Sequence, residues 1–175
     1  MRALAFWKAV TMDQSNFLEG IFHALDEAEV PFCVIGGQAV NAYVDPLVSL
    51  DLGLAVAVER FDELERALKS RFQTERFAHS LNLSQADSNL RVQIQTDPRY
   101  SDFVSRASVR DVLGLELPVA SLPDILRDKI LAVTDENRPS IKRQKDFLDI
   151  SRILEAYPEL RQHVPEAVLQ RLREF

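Results

Sequence analysis

Apolar positions in this chain recur at two spacings, and the switches between them set out the expected elements. Phe17, Leu18, Ile21, Phe22, Leu25 and Ala28 repeat at three and four residues, which predicts an amphipathic helix running to about Glu29, with Asp13 or Ser15 as its cap. Phe32 to Ile35 is apolar throughout, between Pro31 and Gly36, the pattern of a strand buried on both faces. The pair Gly36-Gly37 follows, then a short helix over Gln38 to Tyr43, a turn at Asp45-Pro46 and a second strand over Leu50 to Val58. Arg60 to Phe72 returns to helical spacing, gathering Phe61, Leu64, Ala67 and Leu68 opposite Asp62, Glu63, Glu65, Arg66 and Lys69. The pattern then thins, with short strands expected around Phe77 and over Leu81 to Leu83.

Strict alternation returns in Asn89 to Thr96, where Leu90, Val92 and Ile94 oppose Arg91, Gln93 and Gln95. Val109 to Val112 and Leu115 to Ala120 flank Gly114 and predict a hairpin or two short edge strands. Ser121, Pro123 and Asp124 mark a helix start, and the helix runs Leu122 to Thr134. After a loop over Asp135 to Pro139 a further helix reaches Ala156, ahead of Pro158. A last short helix opens at Pro165 and presents Val168, Leu169 and Leu172. Strands and helices in this order make an α+β fold, a mixed β-sheet flanked by helices with C-terminal helices. The expected organisation is one domain over residues 1–175, with a core from about 13 to 120 and a helical part from about 121 to 175.

Composition narrows the function classes. A net charge of -6 and a pI near 5.1 argue against a broad nucleic-acid-binding face, which needs clustered Lys and Arg. The single cysteine, Cys33, sits inside an apolar strand, so it reads as a small buried hydrophobe, and a reducing compartment suits the chain. Met1 to Val10 shows no signal-peptide pattern and no later run reaches the roughly 18 apolar residues a membrane span requires; the expected location is cytoplasmic. Trp7 and the N-terminal apolar segment either join the core or cover a dimer contact. His23, His79 and His163 show no metal-ligand spacing.

The chemistry concentrates in a few positions. Consecutive glycines after a strand let backbone approach a ligand closely, with amide donors suited to phosphate. Thirteen residues separate Gly37 from Asp51, which stands on the next strand after Ser49. At these residues the sequence resembles the DNA polymerase β-like nucleotidyltransferase superfamily, whose motif is a glycine pair or Gly-Ser followed by Asp-x-Asp on a strand. The run LPVASLPDILRDKILA, Arg138 and the run KDFLDISRIL resemble its abortive-infection, AbiEii-type branch. The resemblance spans roughly Val30 to Leu154.

That resemblance implies a nucleotidyltransferase fold, with Gly36, Gly37, Ser49 and Gln93 at a nucleotide site and Asp51, Lys129, Lys145, Asp146 and Asp149 as catalytic positions. It also implies Mg2+, which carboxylates at i and i+2 on one strand face can hold against a triphosphate. Here Asp51 is present but vestigial, because the second position is Gly53 and the expected third carboxylate on the neighbouring strand is Gln93. Asp97 lies on the same face by period two and is the one substitute. Lys142, Lys145, Asp146 and Asp149 share one helix face by spacing, either as a solvated salt-bridged surface or as the wall of a cleft. Two functions follow: a degenerate nucleotidyltransferase-fold protein with weak or absent Mg2+ binding that holds a nucleotide, a protein partner or a second copy of itself, or an active Mg2+-dependent enzyme that transfers NMP to a protein or RNA in a toxin-antitoxin setting.

Overall fold

The computed structural model describes Ala5, Lys8, Ala9, Thr11, Met12 and residues 16–174; the proposed caps Asp13 and Ser15, together with Trp7, lie outside the described residues. Helix α1, Phe17–Glu27, buries Phe17, Leu18, Ile21, Ala24 and Leu25, and it stops two residues short of Glu29, which adopts a left-handed φ of 50°. Strand β1, Phe32–Ile35, leads directly into α2, Gly36–Asn41. The helix therefore begins on the glycines and not after them. Gly36 has φ 71°, a left-handed conformation that costs glycine little and other residues more.

Strand β2, Asp51–Val56, is shorter than the apolar run that suggested it, because Val58–Arg60 turns as a 3-10 segment into α3, Phe61–Lys69. Then come β3, Gln73–Arg76, β4, Ser80–Ser84, and β5, Arg91–Gln95. The strand expected at Phe77 lies just before that residue, and Phe77 itself sits exposed in the hairpin, where its N–H donates to the carbonyl of Ser80. A 3-10 segment, Pro98–Tyr100, and the short α4, Ser101–Ser105, precede the hairpin of β6, Ser108–Val112, and β7, Leu115–Val119. Helices α5, Leu122–Thr134, α6, Ser140–Ala156, and α7, Glu166–Leu172, follow.

The strands form one seven-stranded sheet in the order β3-β4-β5-β2-β1-β7-β6. β2 is the middle strand, parallel to β5 and antiparallel to β1, while β1 and β7 are also parallel. One face of β2, β5 and β4 carries Leu52, Leu54, Val92, Ile94, Leu81 and Leu83, none more than 1% exposed. Truncating such a side chain to Ala costs about 2–5 kcal/mol. The opposite face carries Asp51, Gly53, Arg91, Gln93, Gln95 and Asn82, with buried Ala55 farther along β2. Helices α5 and α6 pack on each other and on α2. Ser121 caps α5 by accepting a hydrogen bond from the Asp124 N–H, and Arg143 closes the turn into α6 by donating to the carbonyls of Asp135, Glu136 and Arg138. No helix among the described residues is long and apolar enough to cross a membrane.

Candidate functional site

Strand direction brings the sequence-picked residues of the sheet to one end. Since β1 runs antiparallel to β2, its last residue, Ile35, lies opposite Gly53, and Gly36-Gly37 leave the sheet where β2 starts at Asp51. β5, parallel to β2, starts at that end too, with Arg91 opposite Asp51 and Gln93 opposite Gly53. Asp51, Gly53 and Gln93 thus converge beside the glycine turn, on the polar face.

Each of those side chains has partners of its own on the sheet. The Asp51 carboxylate pairs with Arg91, Nε to Oδ1, at 2.8 Å, and the Asp51 N–H donates to Ser49 Oγ. Gln93 donates to Asn82 Oδ1 and accepts from Gln95 Nε2, each at 3.0 Å, forming a row of neutral amides across β4 and β5. Gly53 offers no side chain, and a Cβ there would stand 3.3 Å from the Ile35 carbonyl oxygen and 3.2 Å from its Cγ1. Asp97 is no substitute: it caps the 3-10 segment by accepting from the Arg99 N–H at 2.9 Å. It lies six residues beyond Arg91, roughly 20 Å along the strand.

The second group stands on α5 and α6. Lys129 is buried and its ammonium pairs with Asp146 and Asp149, both at 2.7 Å. Arg138 holds the other oxygen of Asp146 at 2.7 Å, and Arg152 holds the other oxygen of Asp149 at 2.8 Å. Burial works against the charge of Lys129 more strongly than any single partner supports it, but Asp149 and Asp146 together outweigh burial and raise its pKa above the ordinary lysine value. Asp146 and Asp149 are therefore not part of a solvated helix face. Lys142 and Lys145 are exposed, and among the described residues Lys145 makes no ion pair. The helix spacing that grouped the four residues is correct, but its buried half and its exposed half do different things.

The two groups meet at α2. Asp149 Oδ2 lies 3.9 Å from where a Cβ on Gly37 would stand. Arg152 also donates to Asn41 Oδ1 at 2.8 Å and to the Asp45 carbonyl. Asn41 in turn grips Leu47 from both sides, donating to its carbonyl at 2.7 Å and accepting from its N–H at 3.0 Å. Buried Gln38 donates to the Ser49 carbonyl. Arg91, Gln38, Asn41 and Arg152 were not singled out from the sequence, although the alternation around Arg91 had already put it on the polar face. Two surface hollows, of about 680 Å³ beside Pro158 and Leu169 and about 280 Å³ beside Val44 and Arg152, include neither the glycine pair nor Asp51. At the sheet end the Asp51 and Arg91 side chains are 55% and 69% exposed.

The family model described as "Nucleotidyl transferase AbiEii toxin, Type IV TA system" matches residues 41–175. The chain belongs to this AbiEii family. The matched stretch includes Asp51, Gln93, Lys129, Lys145, Asp146 and Asp149 and begins just after the glycine pair. Solved structures of similar fold include ANT(2'')-Ia in complex with adenylyl-2''-tobramycin, at 16% identity and TM-score 0.62, covering 91% of this chain and 98% of that one. The lincosamide antibiotic adenylyltransferase LnuA, lincomycin-bound, matches at 12% identity and TM-score 0.55 over 80% of this chain and 98% of that one. An antigenic nucleotidyltransferase-like protein from Paracoccidioides brasiliensis matches at 18% identity and TM-score 0.52, over 85% and 75%. No curated protein sequence matches the chain. The nucleotidyltransferase fold expected from the sequence is the fold observed.

Nucleotidyltransferases generally use Mg2+, but the donor set of this AbiEii-family chain does not fit the ion. Mg2+ prefers oxygen donors, with carboxylates supplying the negative charge. Among the described residues no three Asp, Glu, His or Cys side chains are grouped to hold a metal. At the sheet end Asp51 stands with Gly53 and Gln93, and a guanidinium already pairs with its carboxylate.

Proposed function

We propose that this AbiEii-family protein has a degraded metal site, transfers nucleotides weakly or not at all, and uses the surface beside Gly36-Gly37 to bind a nucleotide or a protein partner. The observation that carries the reading is the Asp51 row: its second position is Gly53, its third is Gln93, and Asp51 itself is paired with Arg91 at 2.8 Å. Nucleotidyl transfer by metal ions depends on carboxylates that fix the ions against the attacking and leaving oxygens. A neutral amide and a glycine supply neither charge nor geometry for that task. Lys129, Lys145, Asp146 and Asp149 are proposed to survive as the helical wall of the site.

The opposing reading, an active Mg2+-dependent enzyme that moves NMP onto a protein or RNA hydroxyl, draws support from the intact Lys129, Asp146 and Asp149 cluster beside Gly37. The two are separated by incubating the purified chain with labelled ATP, GTP and CTP, Mg2+, and protein or RNA acceptors. No label above background is expected. Mg2+-dependent labelling that disappears in Asp51→Ala overturns the proposal.

A further inference from the structure

We propose that Arg91 acts as a built-in counter-cation at this sheet end, so that the site holds the phosphate chain of a nucleotide without a divalent metal. The inference rests on the nucleotide-binding reading above and goes beyond it by naming what replaces the ion. Arg91 and Asp51 leave adjacent strands side by side, and the Arg91 side chain is 69% exposed. Its planar guanidinium has five N–H donors, more than one carboxylate can use, and matches phosphate oxygens in a two-pronged contact. The polar face is uncovered at Asp51 and Arg91, whose side chains are 55% and 69% exposed, and a Cβ on Gly36 would meet nothing within 4 Å, whereas Gly53 is closed off by Ile35.

Charge points the same way. Asp51, Asp146 and Asp149 each have a basic partner within 2.8 Å, and the three acids face four bases, Arg91, Lys129, Arg138 and Arg152. These seven groups alone sum to plus one, with exposed Lys145 one turn from Asp149 on the same helix and with Asp45 and Glu155 beside Arg152 farther from the sheet row. A cation entering here would have to displace a guanidinium from Asp51. A phosphate finds the guanidinium donors of Arg91 that Asp51 does not use. Mg2+ bound to a triphosphate removes part of the negative charge this arrangement attracts, so the metal opposes binding.

Isothermal titration of the full chain with ATP, inorganic triphosphate and adenosine, in EDTA and again in MgCl2, tests this. ATP and triphosphate are expected to bind in EDTA and more weakly in MgCl2, while adenosine does not bind. Arg91→Ala is expected to lose roughly tenfold or more in ATP affinity in EDTA, as for a charge-assisted pair of about 1.4 kcal/mol or more, with Arg91→Lys retaining part. In Arg91→Ala, where Asp51 is unpaired, Mg2+ is no longer expected to oppose ATP. Binding that requires Mg2+, absence of ATP binding in EDTA, equal binding of adenosine, or an unchanged Arg91→Ala variant overturns the inference. Binding that requires Mg2+ without turnover removes this inference alone; Mg2+-dependent labelling removes the reading beneath it. Thermal melts of each variant establish that the exposed substitution leaves the fold intact.

Discussion

The two charged groups around the glycine turn are built on opposite terms. On the sheet, Asp51 and Arg91 form one exposed pair, with side chains 55% and 69% accessible, in a setting where such pairs are worth about 0–1 kcal/mol. On α5 and α6, Lys129, Asp146 and Asp149 are buried and every carboxylate oxygen has a partner, in a setting where removing one member leaves charge stranded. A chain can change the first group at little cost in stability. The second is tied into the packing of two helices. The difference means that substitutions in the sheet row disturb the packing less than substitutions between the two helices.

The largest effect is expected from removing the centre of the buried group. Lys129→Met leaves Asp146 and Asp149 with one guanidinium each and is expected to cost about 3 kcal/mol in urea unfolding. The wild-type contribution also has a defined pH limit. Because the folded-state pKa lies above the ordinary 10.5, the stability from Lys129 is complete below that value and is lost as pH rises through the raised one. Urea midpoints above pH 10.5 are expected to fall in the wild type, and the part of that fall due to Lys129 is expected to be absent from the Met variant. A Lys129→Met midpoint equal to wild type at pH 7 would break the comparison.

The next effect concerns adding carboxylates to the sheet row. Gly53→Asp places a Cβ 3.3 Å from the Ile35 carbonyl, so β1 must give way, at about 1–3 kcal/mol for overpacking. Gly53→Asp with Gln93→Asp is expected to melt lower than either single variant without metal, since the added acids repel one another, and to recover more than either in Mg2+. Melts with and without Mg2+ and ATP measure this, and an unchanged double-variant melt in Mg2+ would show that the close approach of β1 has shut the ion out.

How much of this could be read beforehand varied with the kind of information involved. The Leu122–Thr134 helix was legible to the residue, because Ser121, Pro123 and Asp124 are local signals that tertiary packing did not override. The Asn89 to Thr96 alternation gave the correct faces of β5, including the outward Arg91. Its pairing with Asp51 was not legible, since it depends on the register of two strands separated by a helix and a hairpin. The burial of Asp146 and Asp149 was hidden for a similar reason: an i, i+3, i+4 grouping names a face without saying what covers it, and Lys129 on another helix covers this one. Cys33 was legible as a core residue, and burial, with Asp124 adding to it, pushes its thiol up to about 12.

Smaller effects test the scaffold between the two groups. Ser121→Ala removes the cap of α5 and is expected to cost about 1 kcal/mol. Its neighbour Asp124 is held below the usual carboxylate range: burial pushes the other way, but hydrogen bonds from Arg106 and Ser121 outweigh it. That stability is present above the ordinary value of 3.8 and is lost as pH falls through the depressed one, so Asp124→Asn is expected to flatten the acid limb of the melting profile. Smallest of all, Asp51→Asn is expected to change unfolding by no more than about 0.5 kcal/mol. A larger loss would mean that the exposed pair holds β2 to β5.

The link from Arg152 back to Asn41 and Asp45 spans 111 and 107 residues of sequence. During synthesis, the turn after α2 therefore waits for its last fastener until Arg152 has been made. Asn41 can grip Leu47 as soon as both have emerged, but the guanidinium that anchors Asn41 arrives only with the final third of α6. Contacts at such separation bear the full entropic burden of loop closure and form late. A nascent chain that has already paired β1 with β2 still lacks the α6 contact that fastens the loop beside its glycine turn.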